Sequence, residues 1–194
     1  MIIGIDIDDT IADTYEVMFN YAQEYTANVL GREPAIKELN SCKTHFYTRE
    51  LHDWNSEEEI NFFKLYYEKI LTNTKPKTLA LEYLRKLSKN NKIILITARR
   101  KVDFLDVETI TQKWINENNI PYQKLIINAE NKEKIAQEEK IDVFVDDSFK
   151  NCKAVSDIGI KTYIMDTRVN RDLNDDKIKR IYSWPHLYME LNNR

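Results

Sequence analysis

Short apolar runs recur at residues 2–5, 93–96, 125–127, 143–145 and 163–165, each rich in Ile, Val or Leu and bounded by polar residues. A half-exposed strand alternates apolar with polar, so continuous runs of this length predict strands buried on both faces of a parallel sheet. Between the later runs, apolar residues return at helical spacing. Leu79, Tyr83, Leu84 and Leu87 share one face, and Val107, Ile110, Trp114 and Ile115 another. Residues 132–140 and 149–158 read as further helices, the second closed by Gly159. Strand alternating with helix predicts a three-layer α/β fold with right-handed crossovers.

The first connection breaks this rhythm. Residues 15–30 carry Met18, Ala22, Tyr25 and Val29 at helical spacing, and a second helix is predicted from Ser56. There Ser56 and Glu59 form a capping-box pattern ahead of Ile60, Phe63 and Tyr67. A strand-free span from 15 to 77 is too long for a simple crossover. It predicts a small helical cap, 15–77, inserted after strand one into a core of 1–14 and 78–194, able to close over the sheet's edge. The tail from Lys177 reads as two short helical pieces around Pro185.

Composition narrows the partners. Three glycines leave no glycine-rich phosphate loop, and a net charge of -3 gives no general attraction to nucleic acid or anionic membrane. The expectation is therefore no stable nucleic-acid binding and no membrane, with any anionic ligand held by a local site. Cys42 and Cys152 suggest neither a disulfide framework nor a zinc set. The opening Met-Ile-Ile-Gly-Ile-Asp has no basic leader, which reads as cytoplasmic.

The chemistry concentrates at strand ends. Asp6-Ile7-Asp8-Asp9-Thr10 follows the first run, and Asp146-Asp147-Ser148 closes the fourth. Two carboxylates about 4 Å apart repel by roughly 4 kcal/mol at an effective dielectric near 20, so crowded ones take up a proton or a cation. Carboxyl ends of parallel strands share one edge, where ligands bind, and hard oxygen donors suit Mg²⁺. The competing reading is a solvated turn at Asp9 or Thr10 and a helix N-cap at Asp147 or Ser148. The run 93–96 leads into Thr97-Ala98-Arg99-Arg100. There a hydroxyl and backbone amides can bind phosphate oxygens, and the guanidinium groups can meet a leaving group or second anion. Asn131-Lys132-Glu133-Lys134 offers a lysine, Lys132 or Lys134, able to neutralise Asp6 and phosphate.

In this order the residues resemble the haloacid dehalogenase superfamily of phosphohydrolases, over roughly residues 1–166. Asp6-Ile7-Asp8-Asp9-Thr10 matches its first motif, Thr97 the second, Lys132 the third and Asp146-Asp147 the fourth. The resemblance implies a Rossmann-like parallel sheet and a Mg²⁺ held by Asp6, Asp8, Asp146 and Asp147, Asp8 through its backbone carbonyl. It also implies an aspartyl-phosphate on Asp6, with Asp8 as acid and base, Thr97 and Lys132 as further catalytic groups, and a phosphate ester as partner. Dehalogenases need no leaving-group acid, so Asp8 points to a phosphatase.

The start, the Thr-Ala-Arg and the Asp-Asp-Ser are similar to those of 5′(3′)-deoxyribonucleotidases, which implies a nucleoside monophosphate substrate bound by Thr97, Ala98, Arg99 and Phe46. The aromatic cap is consistent with base stacking. Phe46, Tyr47 and Trp54 are candidates to face the ligand, while Phe63 and Tyr67 are expected in the cap's own core. His45, His52 and His186 are expected to be surface or packing residues. The rival readings are a phosphatase or phosphomutase for another small metabolite, and a non-catalytic nucleotide-binding regulator.

Overall fold

The chain runs β1 (Ile2–Ile5), α1 (Thr14–Asn28), α2 (Tyr47–His52), α3 (Ser56–Asn73), α4 (Ala80–Ser88), β2 (Lys92–Ile96) and α5 (Val107–Glu117). It continues with β3 (Lys124–Ile126), α6 (Lys132–Glu138), β4 (Val143–Asp146), α7 (Phe149–Asp157), β5 (Lys161–Met165), β6 (Ile178–Ile181) and α8 (Trp184–Asn192). This is a computed structural model describing residues 1–34 and 47–192. It divides into two units, Met1–Asp13 with Lys75–Arg194, and Thr14–Thr74.

In the first unit every strand pairing is parallel and the order is β3-β2-β1-β4-β5-β6. Alternate side chains leave the sheet on opposite faces. Ile3, Ile5, Ile93, Leu95, Val143 and Val145 join one core with Leu84 and Leu87 of α4, Trp114 and Ile115 of α5, and Trp184 of α8. Ile94, Ile96 and Phe144 face the other way, with Ala136 of α6 and Val155 of α7. Helices on both faces explain why the strands read as continuous apolar runs. Gly4 lies where Ile96 and Ile141 meet; a Cβ there would come within 3.1 Å of the Ile96 Cδ1.

Two local expectations need correction. The tail is not purely helical, because Ile178–Ile181 forms β6 on the sheet's edge beside β5. Its Ile-Lys-Arg-Ile buries both ends, and that spacing of three is also a helix-face spacing. The capping box of α3 sits one residue earlier than Ser56. Asn55 accepts from the Glu57 and Glu58 amides, and Glu58 accepts from the Asn55 amide at 2.9 Å.

In the second unit, α1 and α3, with Trp54 from the turn between α2 and α3, share a core of Met18, Ala22, Tyr25, Trp54, Phe62, Tyr66 and Ile70. Trp54 packs edge-on to Tyr25 at 5.1 Å, and its indole N–H donates to the Thr26 hydroxyl at 3.0 Å. It is a core residue rather than a ligand-facing one. An indole with both its rings and its N–H satisfied internally has found its complete environment.

Candidate active site

The strand order reverses between β1 and β4, and both acidic clusters sit at the carboxyl ends of these two strands. The Asp6 amide extends that pairing, donating to the Val145 carbonyl at 2.9 Å. One carboxylate oxygen from each of Asp6, Asp146 and Asp147 lies within 4.8 Å of the other two. The sheet thus brings together residues that stand far apart in sequence, at the crevice where open α/β sheets hold ligands.

A lysine completes this cluster. Lys132 is the first residue of α6, behind an Asn131 cap that accepts from the Lys134 amide. Helical side chains tilt toward the N-terminus, which aims this one back at the sheet. Its Nζ donates to Asp6 Oδ1 at 2.5 Å and to Asp146 Oδ2 at 2.7 Å, with the side chain 2% exposed. Lys134 is exposed and faces Glu138 at 3.8 Å. Asp146 is further engaged, accepting from the Ser148 amide at 2.7 Å and from Asn151 Nδ2 at 3.2 Å.

Three carboxylates therefore face one ammonium in a buried space. Burial pushes Asp6 up to about 8; the Asp146 and Asp8 charges push the same way, and Lys132 opposes them. Burial, then Asp9, Asp146 and Asp6, hold Asp147 well above the usual carboxylate range. Burial disfavours the Lys132 charge, but Asp146 and Asp6 more than offset that and raise it. Crowded, buried carboxyls whose titration is pushed upward, offering hard oxygen donors, are the environment a small divalent cation relieves. The donor set fits Mg²⁺.

Asp8 lies apart from this cluster. Its two oxygens accept from Arg99 Nη2 at 2.8 Å and Nε at 2.9 Å, and the Thr97 hydroxyl lies 3.4 Å from one of them. Of the four residues expected around a cation, the carboxylates of Asp6, Asp146 and Asp147 converge, while that of Asp8 turns to Arg99. Thr97 is fully buried at the end of β2, and Ala98 beyond it is exposed. Arg99, expected among the substrate-binding groups, is bonded within the protein. Its side chain is 1% exposed and donates to Asp8 and to the Thr111 hydroxyl, because burying a guanidinium demands partners for its donors. Phe46 lies outside the described residues.

Sequence reading missed two supports. Asn170, in the loop after β5, donates to the Asp147 carbonyl, and Trp184 of α8 donates its indole N–H to the Thr10 carbonyl at 3.2 Å. Both act on backbone atoms, which carry no residue-type signal.

Comparison with known proteins agrees with this geometry. The profile of the family described as "5′ nucleotidase, deoxy (Pyrimidine), cytosolic type C protein" matches residues 1–192. A nucleotidase from Clostridium acetobutylicum is 28% identical over 96% of this chain and 91% of that protein. A haloacid dehalogenase-like hydrolase from Streptococcus pneumoniae shares the fold, with TM-score 0.68 and 12% identity over 98% of each chain. So does the YfnB protein of Bacillus subtilis, whose structure is described as bound to magnesium, with TM-score 0.66 and 12% identity over 98% of each chain. Among the described residues, no helix is long and apolar enough to cross a membrane.

Proposed function

The chain belongs to the cytosolic type C deoxy (pyrimidine) 5′-nucleotidase family of haloacid dehalogenase-like hydrolases and is a phosphoric monoester hydrolase; on that premise we propose that it releases phosphate from nucleoside monophosphates, preferably deoxynucleotides, through an aspartyl-phosphate on Asp6. The observation that carries this is the convergence of Asp6, Asp146 and Asp147 within 4.8 Å, with Lys132 bonded to the first two. The family description supports the cytoplasm as its compartment.

Asp6, Asp146 and Asp147 would hold Mg²⁺, with the Asp8 backbone carbonyl as a further donor. When bound, the ion supplies positive charge that lets an anionic nucleophile and an anionic phosphate approach. Lys132 holds the Asp6 carboxylate in orientation and offsets its charge. An Asp6 oxygen attacks phosphorus in line, so that a new P–O bond forms as the ester P–O bond breaks. Asp8 gives its proton to the departing alkoxide. It then takes a proton from the water that attacks the phosphoenzyme, which releases inorganic phosphate and regenerates Asp6. The Thr97 hydroxyl and the amides beyond it bind the transferring oxygens.

The test is phosphate release from nucleoside monophosphates with and without the 2′-hydroxyl, and from sugar phosphates, in Mg²⁺ and in chelator. Deoxynucleotides are expected to be hydrolysed fastest and only with the metal, and Asp6→Asn to abolish turnover while retaining nucleotide binding. Equal turnover of sugar phosphates would remove the nucleotide assignment, and undiminished release in chelator would remove the ion. A regulator that merely binds nucleotide would be little changed by Asp6→Asn.

A further inference from the structure

We propose that Arg99 is a positioning residue for the acid Asp8, holding its carboxylate plane by a two-point bond anchored in α5. The inference rests on the phosphomonoesterase reading above and adds a group that reading leaves without a role.

Asp6 and Asp8 stand two residues apart at the end of one strand, yet the fold gives them different cations. Asp6 is held by Lys132, a point charge shared with Asp146. Asp8, with its side chain 30% exposed, is held by a planar fork, with Nε on one oxygen and Nη2 on the other. A single hydrogen bond leaves a carboxylate free to turn about its Cβ–Cγ bond, whereas two parallel bonds from one guanidinium fix the plane.

The fork is itself fixed. Arg99 Nη1 donates to the fully buried Thr111 hydroxyl of α5 at 3.2 Å, and the guanidinium lies 5.7 Å from the Trp114 ring. The Arg99 amide donates to the Thr97 hydroxyl at 3.2 Å, which ties its backbone to the hydroxyl beside Asp8. Burying a guanidinium is costly, and an apolar residue of similar size would pack α5 on the sheet without that cost. What the charged fork adds is orientation, and misplacing a reacting group by about 1 Å costs on the order of 10²-fold in rate.

The leaving group separates positioning from simple structural support. In phosphoenzyme formation the P–O bond to Asp6 forms, the ester bond breaks, and the Asp8 proton goes to the departing oxygen. A nucleoside alkoxide needs that proton, whereas nitrophenolate leaves without it. The quantity to measure is kcat/KM, which reports this first step and excludes hydrolysis of the phosphoenzyme.

Arg99→Met is expected to lower kcat/KM for a deoxynucleoside monophosphate by about 10²-fold and that for p-nitrophenyl phosphate by at least about tenfold less. Arg99→Lys should restore part of the loss, since an ammonium reaches Asp8 without the fork. Thr111→Val keeps every charge, and it carries the test if Arg99→Met does not fold. It should show the same selective loss at smaller size. Equal proportional loss on both esters, or no loss on the nucleotide, overturns the proposal. Wild-type protein that hydrolyses neither ester overturns instead the phosphomonoesterase reading beneath it.

Discussion

The side-chain Nδ2 of Asn170 donates to the backbone carbonyl of Asp147 at 2.7 Å, so the loop after β5 grips the residue that closes the acidic cluster. The same nitrogen donates to the Met165 carbonyl, and its Oδ1 accepts from the Thr167 amide and from Arg180 Nη1 at 2.6 Å. Removing this amide strands two carbonyls, at about 1–3 kcal/mol. Outer supports of metal ligands are typically worth about 10–100-fold in affinity. Asn170→Ala is therefore expected to raise the Mg²⁺ concentration for half-maximal phosphate release by at least about tenfold. Urea unfolding measures the loss of stability, and an unchanged Mg²⁺ requirement would show that the bond only staples the loop.

Lys132 is the single ammonium shared by Asp6 and Asp146, so its loss leaves buried carboxylates without their cation. Breaking such a pair from one side costs about 3–5 kcal/mol. Lys132→Met should lose stability on that scale in chelator, recover part of it in Mg²⁺, and release almost no phosphate. Lys134→Met, which removes an exposed charge near Glu138, should change neither stability nor turnover measurably.

The crowded carboxyls link cation binding to protons. With Asp6 near 8 and Asp147 raised in the same direction, these carboxyls keep their protons to higher pH than free carboxylates when no cation is bound. A divalent ion must displace them, so Mg²⁺ affinity should rise as pH increases toward 8 and then level off. Calorimetry in two buffers of different ionisation enthalpy would read the released protons directly. Without metal the sign for folding is the reverse. The folded carboxyl holds its proton above the unfolded value of 3.8, so its contribution is present at low pH and is lost as pH rises through about 8. A chelated protein whose Asp6 contribution grows with pH would contradict this.

His52 provides a second pH dependence, in the Thr14–Thr74 unit. Burial lowers it from 6.5 to about 4, and its ring stacks on Trp54 at 5.0 Å, with Gln23 Nε2 lying 3.5 Å from its Nδ1. Charging that ring opposes folding, so stability attributable to His52 is full above 6.5 and declines as pH falls toward 4. His52→Gln should flatten the stability difference between pH 7 and pH 5 relative to wild type, as followed by urea melts. Parallel pH curves for the two proteins would rule out this contribution.

How legible the molecule is from its sequence differs from element to element. The runs ending at Ile5, Ile96 and Val145 announce themselves because both faces of the sheet are covered, and a buried strand must be apolar throughout. β6 stays hidden because an edge strand of four residues buries only Ile178 and Ile181, a pattern shared with a helix face. Asp6, Asp146 and Asp147 could be assigned to one edge from strand direction alone, since parallel strands end on the same side.

The amino-acid sequence by itself thus determined five strands and which carboxylates terminate the first and fourth of them, because periodicity and strand direction are local properties. Only the tertiary structure decided the partners: Lys132 rather than Lys134 on Asp6 across 126 residues, Arg99 on Asp8 across 91, and Asn170 on the Asp147 carbonyl across 23. Those choices depend on strand order and on the direction each side chain leaves its element. No spacing along the chain encodes either of them, and a backbone carbonyl as acceptor leaves no trace in residue type at all.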